Sequence, residues 1–83
     1  MRKNKKNNRK DEAIRIGELA KKSGLRVSTI KYYSEIGILP FHQEDKKLAR
    51  RYKREEALQR LKEIDELKEV KRRTIEEIKK HFR

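Results

Sequence analysis

The apolar positions fall into four helical runs, with one stretch between the second and third that does not repeat at helical spacing. Ile16, Leu19 and Ala20 share one face of a helix running to about Ser23. Gly24 supplies the left-handed residue that ends it. Leu25 turns back toward the core, and Val27 opens a second helix whose inner face is carried by Ile30 and Tyr33. Gly37 stops that helix and Pro40 forbids its continuation. Residues 38–41 and 48–52 then read as two short extended segments around a polar loop, 42–47, and predict a small two-stranded ribbon.

From Lys53 the helical period resumes. Leu58, Leu61, Ile64 and Leu67 recur every three residues, with Ala57 beside them, and Glu55 and Glu56 sit in the first turn, where the helix dipole favours acids. Residues 71–73 interrupt this stripe. Thr74 followed by Glu77 forms a capping box before a last short helix with Ile75, Ile78 and Phe82 inward. The stripe of the third helix is too short for a coiled coil and is assigned to closing the core. The fold class is therefore mainly α: four helices with a small two-stranded ribbon, and no internal repeat.

Within this pattern, residues 14–39 (IRIGELAKKSGLRVSTIKYYSEIGIL) form two short helices joined by a tight glycine turn. Hydroxyl, basic and aromatic side chains decorate the second helix, the layout of a helix-turn-helix module that sets one helix in a DNA groove. Ser28 and Thr29 lie at the start of that helix, where side chains point into a groove and backbone N–H groups face phosphate. Lys31, one turn along, reaches a phosphate or a guanine edge. Tyr32 carries a hydroxyl on a rigid ring toward the backbone. Tyr33 has two readings, a core aromatic or a phosphate contact. In the ribbon, Arg50 and Arg51 offer two forked donors suited to phosphate, and Lys46 and Lys47 add charge beside them. Tyr52 reads as a core residue locking the ribbon to the domain. Glu44 and Asp45, near the tip, repel phosphate if they face it. The Lys and Arg residues of the later helices read as solvated faces.

Composition sharpens this picture. A chain of 83 residues makes one small domain, and charged residues outnumber apolar ones, 48% against 33%. The formal net charge of +12 seeks a polyanion: DNA, RNA or an anionic membrane face. Residues 1–12 are assigned to a disordered basic arm, either a solubilising tail or a contact to the nucleic-acid backbone, and residues 13–83 to the folded domain. The absence of cysteine excludes disulfides and thiolate metal sites, and two isolated histidines build no zinc site, so no cofactor is expected. There is no apolar run of the roughly 20 residues needed to span a bilayer and no secretory signal, so a cytoplasmic location is expected. Enzyme chemistry is not expected, because no nucleophile–base pair or phosphate-cradling glycine loop is present.

The chain resembles the DNA-binding domain of the MerR family of bacterial transcriptional regulators. The resemblance rests on IGELAKKSGL from Ile16, TIKYYSEIGIL from Thr29, the run Arg50, Arg51 and Tyr52, and TIEEI from Thr74. It implies a winged helix-turn-helix, with a recognition helix over about 27–36 in the major groove and a wing over about 38–52 on the backbone. It also implies that both Tyr32 and Tyr33 touch DNA phosphates. The departures are local. Leu48 and Ala49 stand where the family commonly has Gly-Tyr, and Arg26 stands where it often has a Ser or Thr cap, which weakens the cap by about 1 kcal/mol unless Ser28 takes it over. Ser34 replaces a usual acid. Residues 71–73 replace a glycine and an apolar residue, so a different link to the last helix is expected.

The expected function is sequence-specific binding of double-stranded DNA by a MerR-like transcriptional regulator lacking an effector domain, either a minimal member or an excised domain. The expected partners are DNA, RNA polymerase and a second copy, paired on DNA or through a missing segment; no membrane partner is expected. The alternatives are an excisionase-like or architectural DNA-binding accessory factor and, from a different class, a basic RNA-binding or interaction module.

Overall fold

The computed structural model describes residues 12–82, so the basic arm lies outside the described residues except for Glu12. The element order is β1 (Ala13–Arg15), α1 (Ile16–Ser23), α2 (Val27–Glu35), β2 (Arg51–Lys53), α3 (Arg54–Asp65) and α4 (Ile75–His81). One π-helical turn, Glu66–Val70, continues α3.

The helix-turn-helix forms as its residues dictate. Gly24 ends α1 at φ 76°, and its N–H donates to the Ala20 carbonyl at 2.9 Å. A residue with a Cβ is strained in that left-handed conformation. Leu25 packs half-buried against the core. α2 then starts at Val27 and buries Ile30, Tyr33 and Ser34. Gly37, at φ 86°, turns the chain away after it.

The ribbon differs from expectation. Residues 38–41 form no strand. Ile38 and Leu39 are both buried, so they do not alternate between faces, and their N–H groups both donate to the Tyr33 carbonyl, at 3.1 and 3.3 Å. Pro40 has no N–H to offer a ladder. Of the expected second segment, only its end is extended, in β2, and β2 pairs antiparallel with β1 at the front of the domain. The register sets Ala13 opposite Lys53, Ile14 opposite Tyr52 and Arg15 opposite Arg51. The wing loop joins this sheet through one bridge, His42 to Arg51, with N–H···O distances of 2.7 and 2.8 Å. The Asp45 carboxylate accepts from the Lys47 N–H at 2.9 Å and its carbonyl from the Leu48 N–H at 2.9 Å, so Asp45 builds the turn at the wing tip. Glu12 belongs to the domain, since its carbonyl accepts from the Arg54 N–H at 2.9 Å.

The core gathers one row from every element: Ile14 and Tyr52 from the sheet, Leu19 from α1, Ile30 from α2, Leu61 and Ile64 from α3, and Ile78 from α4. A three-residue spacing on a helix drifts by about 60° per step. The stripe from Leu58 to Leu67 therefore winds around α3, with half-buried Leu58 in a cleft beside Leu25 of the α1–α2 turn and Leu67 buried in the π turn. Arg60 is an exception to the solvated later helices. Its guanidinium donates to the Ile38 carbonyl at 2.8 Å and lies 4.1 Å above the Phe82 ring, tying the end of the helix-turn-helix to the tail of α4.

α4 carries the expected capping box. The Glu77 N–H donates to the Thr74 hydroxyl at 3.2 Å, and the Thr74 N–H donates to the Glu77 carboxylate at 2.9 Å. The link before it contains Arg72 at φ 56°, a left-handed conformation that glycine holds at less cost.

Candidate nucleic-acid interface

α2 divides cleanly into two faces. Ile30 is fully buried, and Ser34 fixes the helix to the sheet. The Ser34 hydroxyl donates its one hydrogen to the Ile30 carbonyl at 2.8 Å, which makes the Tyr52 hydroxyl, 2.7 Å away, the donor to Ser34 Oγ. Tyr52 thus locks β2 to α2, as its sequence position suggested. On the opposite face Val27, Ser28, Lys31 and Tyr32 are exposed, and Thr29 is half-buried. Val27 and Tyr32 are 44% and 46% exposed there, outside the core.

Tyr33 resolves toward the core reading for its ring, which is only 5% exposed and lies 6.0 Å from the Tyr32 ring, centroid to centroid. What remains accessible lines a cleft of about 330 Å³ with Ser28, Thr29, Tyr32 and Lys68.

A larger open groove, about 1010 Å³, runs between the start of α1, the outer face of α2 and the wing loop. Arg15, Lys21, Lys22, Lys31 and Arg50 line it, against one carboxylate, Glu18. Glu18 is itself within 3.9 Å of Lys22. The groove is therefore a cationic trough open to a polyanion.

The two wing arginines have different settings. Arg50 lies 3.7 Å from Glu35 at the end of α2 and 4.6 Å above the Phe41 ring, so its position is set by α2 and its charge is partly met. Arg51 Nη1 is buried and has no hydrogen-bond partner among the described residues. Lys46 and Lys47 are exposed at the wing tip, and Glu44 is held near His42 at 4.0 Å. Ser28 does not take over the cap of α2: the N-cap is Arg26 and no side chain closes it, which leaves the first N–H groups without a side-chain acceptor.

Sequence reasoning passed over three residues here. Arg15 and His42 flank Arg51 only because of the sheet register, which no local pattern announces. Ser34 stood out as a departure from the family, and only the fold gives it a partner. The alternation of Ile14, Arg15 and Ile16, running into the start of α1, was the one available signal for a strand there.

Among the described residues, no helix is long and apolar enough to cross a membrane. No curated protein and no solved structure matches the chain. The family model described as "MerR HTH family regulatory protein" matches residues 14–83, the span that holds the helix-turn-helix, all of the sheet but Ala13, the wing and both later helices. With that match added to the outward face of α2 and the cationic trough beside it, the chain belongs to the MerR family of helix-turn-helix regulatory proteins, a family of DNA-binding transcription regulators.

Proposed function

We propose that this protein recognises a specific double-stranded DNA sequence by seating α2 in the major groove while the wing, about residues 38–52, rests on the flanking phosphate backbone. The observation that carries this reading is the division of α2. Its inner face is pinned through Ile30, Tyr33 and the Ser34–Tyr52 hydrogen bond, while its outer face is exposed beside a trough with five cationic side chains. A helix about 10–12 Å across with its side chains matches a major groove about 12 Å wide. A helix held this firmly presents its outer side chains at little further cost in order.

Ser28, Lys31 and Tyr32 then face the bases and near phosphates, with Thr29 beside them. Tyr33 contributes only at the edge of its cleft. Arg50, Arg51, Lys46 and Lys47 serve the backbone, which fixes position and adds affinity without sequence choice. Two copies on an inverted repeat would read a two-fold site with two-fold symmetry, and RNA polymerase is the downstream partner of a regulator of this kind. A selection of bound duplexes from a random pool supplies the site. On that site Lys31→Ala should cost about 1–3 kcal/mol of specific binding and relax the choice at one base position. Amide signals of residues 28–33 that stay unmoved while the duplex binds elsewhere would overturn this reading.

A further inference from the structure

The outer face of the small sheet carries a row of basic side chains that the recognition helix does not use. Ile14 and Tyr52 are cross-strand partners on the core face, 3% and 0% exposed, so the next pair along, Arg15 and Arg51, stands on the opposite, outer face. Arg51 exchanges both of its backbone hydrogen bonds with His42, at 2.7 and 2.8 Å. Its N–H and C=O therefore point away from β1, which makes Arg15–Arg51 the non-hydrogen-bonded pair of the β1–β2 ladder, the kind in which side chains stand closest. The His42 bridge places a third basic group on the same face at the other flank of Arg51.

Like charges directly opposite one another destabilise a sheet. Here the repulsion is not met from within. Among the described residues, Arg51 Nη1 is buried with no hydrogen-bond partner, and no carboxylate is ion-paired with Arg15 or Arg51. A concavity of about 320 Å³ opens over this row, with Arg15, Arg51 and His42 in its wall. Glu44, the one acid lining it, lies 4.0 Å from His42. Arg15, Leu48 and Ala49 also line the larger trough beside α2, so the two depressions are neighbours that share these residues.

We infer that Arg15 and Arg51, flanked by His42, form a phosphate-binding site on the outer face of the β1–β2 sheet. Two forked guanidinium groups rising from a non-hydrogen-bonded cross-strand pair into one concavity suit a tetrahedral oxyanion, which would screen the two charges from each other. The phosphate comes from a DNA backbone leaving the α2 trough or from a free phosphate. The site itself follows from the sheet register; only the DNA source rests on the function proposed above.

The test uses the full chain and follows the side-chain N–H signals of Arg15 and Arg51 in two titrations. One adds inorganic phosphate; the other adds a mixed-sequence duplex, since a backbone contact needs no particular operator. Both arginine signals are expected to move in at least one titration. If the duplex is the source, Arg15→Gln and Arg51→Gln each lower duplex affinity about 5–10-fold at fixed salt. Each also reduces the slope of log K against log salt by about one, and the double variant loses less than the product of the two because one phosphate is shared. Arg51→Lys guards against a folding artefact: it keeps the charge and the sheet, shown by unchanged Ile14 and Tyr52 signals, yet loses the forked contact and part of the affinity. Glu44→Gln should strengthen binding about twofold.

If the duplex moves the amides of residues 28–33 but neither arginine, phosphate moves neither, and the variants bind as wild type, the site is refuted and the DNA-binding proposal survives. If the duplex does not bind but phosphate moves both arginines, the site stands with free phosphate as its source and the DNA-binding proposal fails.

Discussion

α2 and α4 are short helices of nine and seven residues, and they are secured in opposite ways. α4 closes its own N-terminus, with Thr74 and Glu77 satisfying each other's backbone donors within four residues. α2 begins at Arg26 with no side-chain cap and is held instead by long-range contacts: Ile30 in the core and Ser34 against Tyr52, eighteen positions away in the chain. A helix that seals its own end offers that end to nothing else. One held from behind keeps both its first turn and its outer face available to a partner. α1 and α3 also lack a side-chain cap, so the contrast teaches that α4 alone among the four α-helices closes its own end, while the helix bearing the candidate contacts draws its stability from the rest of the fold.

If α2 depends on the fold, breaking its inner face should unfold the domain. Ile30→Ala, at a side chain with no exposure, should cost about 2–5 kcal/mol, a large share of the stability of so small a domain, and denaturant melting will read it as a global loss. Ser34→Ala comes next. It leaves the buried Tyr52 hydroxyl without its acceptor at a cost of about 1–3 kcal/mol. The loss should show both in melting and in faster amide exchange at the α2–β2 contact.

The α4 counterpart should be smaller and local. Thr74→Ala removes the cap at a cost of about 1 kcal/mol, visible as faster amide exchange confined to residues 75–82. Acid should act at the same place. The Glu77 carboxyl is held below its usual range, chiefly by the hydrogen bond from the Thr74 backbone, with the Thr74 side chain and the charges of Arg73 and Lys80 adding to it. A lowered folded-state pKa contributes stability that is present above the unfolded carboxylate pKa and lost as pH falls through the folded one. α4 should therefore fray as pH drops through the acidic carboxylate range, and Glu77→Gln should abolish that dependence. The smallest effect is a gain. Arg72→Gly relieves a left-handed residue at the entry to α4 but loosens the unfolded chain, for a net stabilisation of about 0.5 kcal/mol. Melting should detect it with α2 exchange unchanged.

What could be read in advance was local. Gly24 and Gly37 announce the ends of α1 and α2 because only a left-handed residue turns the chain there, and Thr74–Glu77 announces α4 because both partners lie within one turn. The two sides of α2 were legible from periodicity, except that Tyr33 needed the fold to assign its ring to the core. The strand pairing was not legible. Residues 38–41 carry enough apolar character for a strand, yet that character serves burial of both Ile38 and Leu39 beside the Tyr33 carbonyl. Arg60 looked like any solvated helical arginine, because nothing near it in the chain reveals Phe82 or the Ile38 carbonyl.

The order of residues by itself determined the four helices, their two glycine stops, the closed cap of α4 and the cationic character of the surface, since each depends on groups within a few positions or on composition alone. Only the tertiary structure decided that β2 takes β1 as its partner, that Ser34 and Tyr52 clamp α2, and that Arg15, Arg51 and His42 share one face of a sheet. Those relations join residues far apart in the chain, and they exist only once the core has brought the segments together.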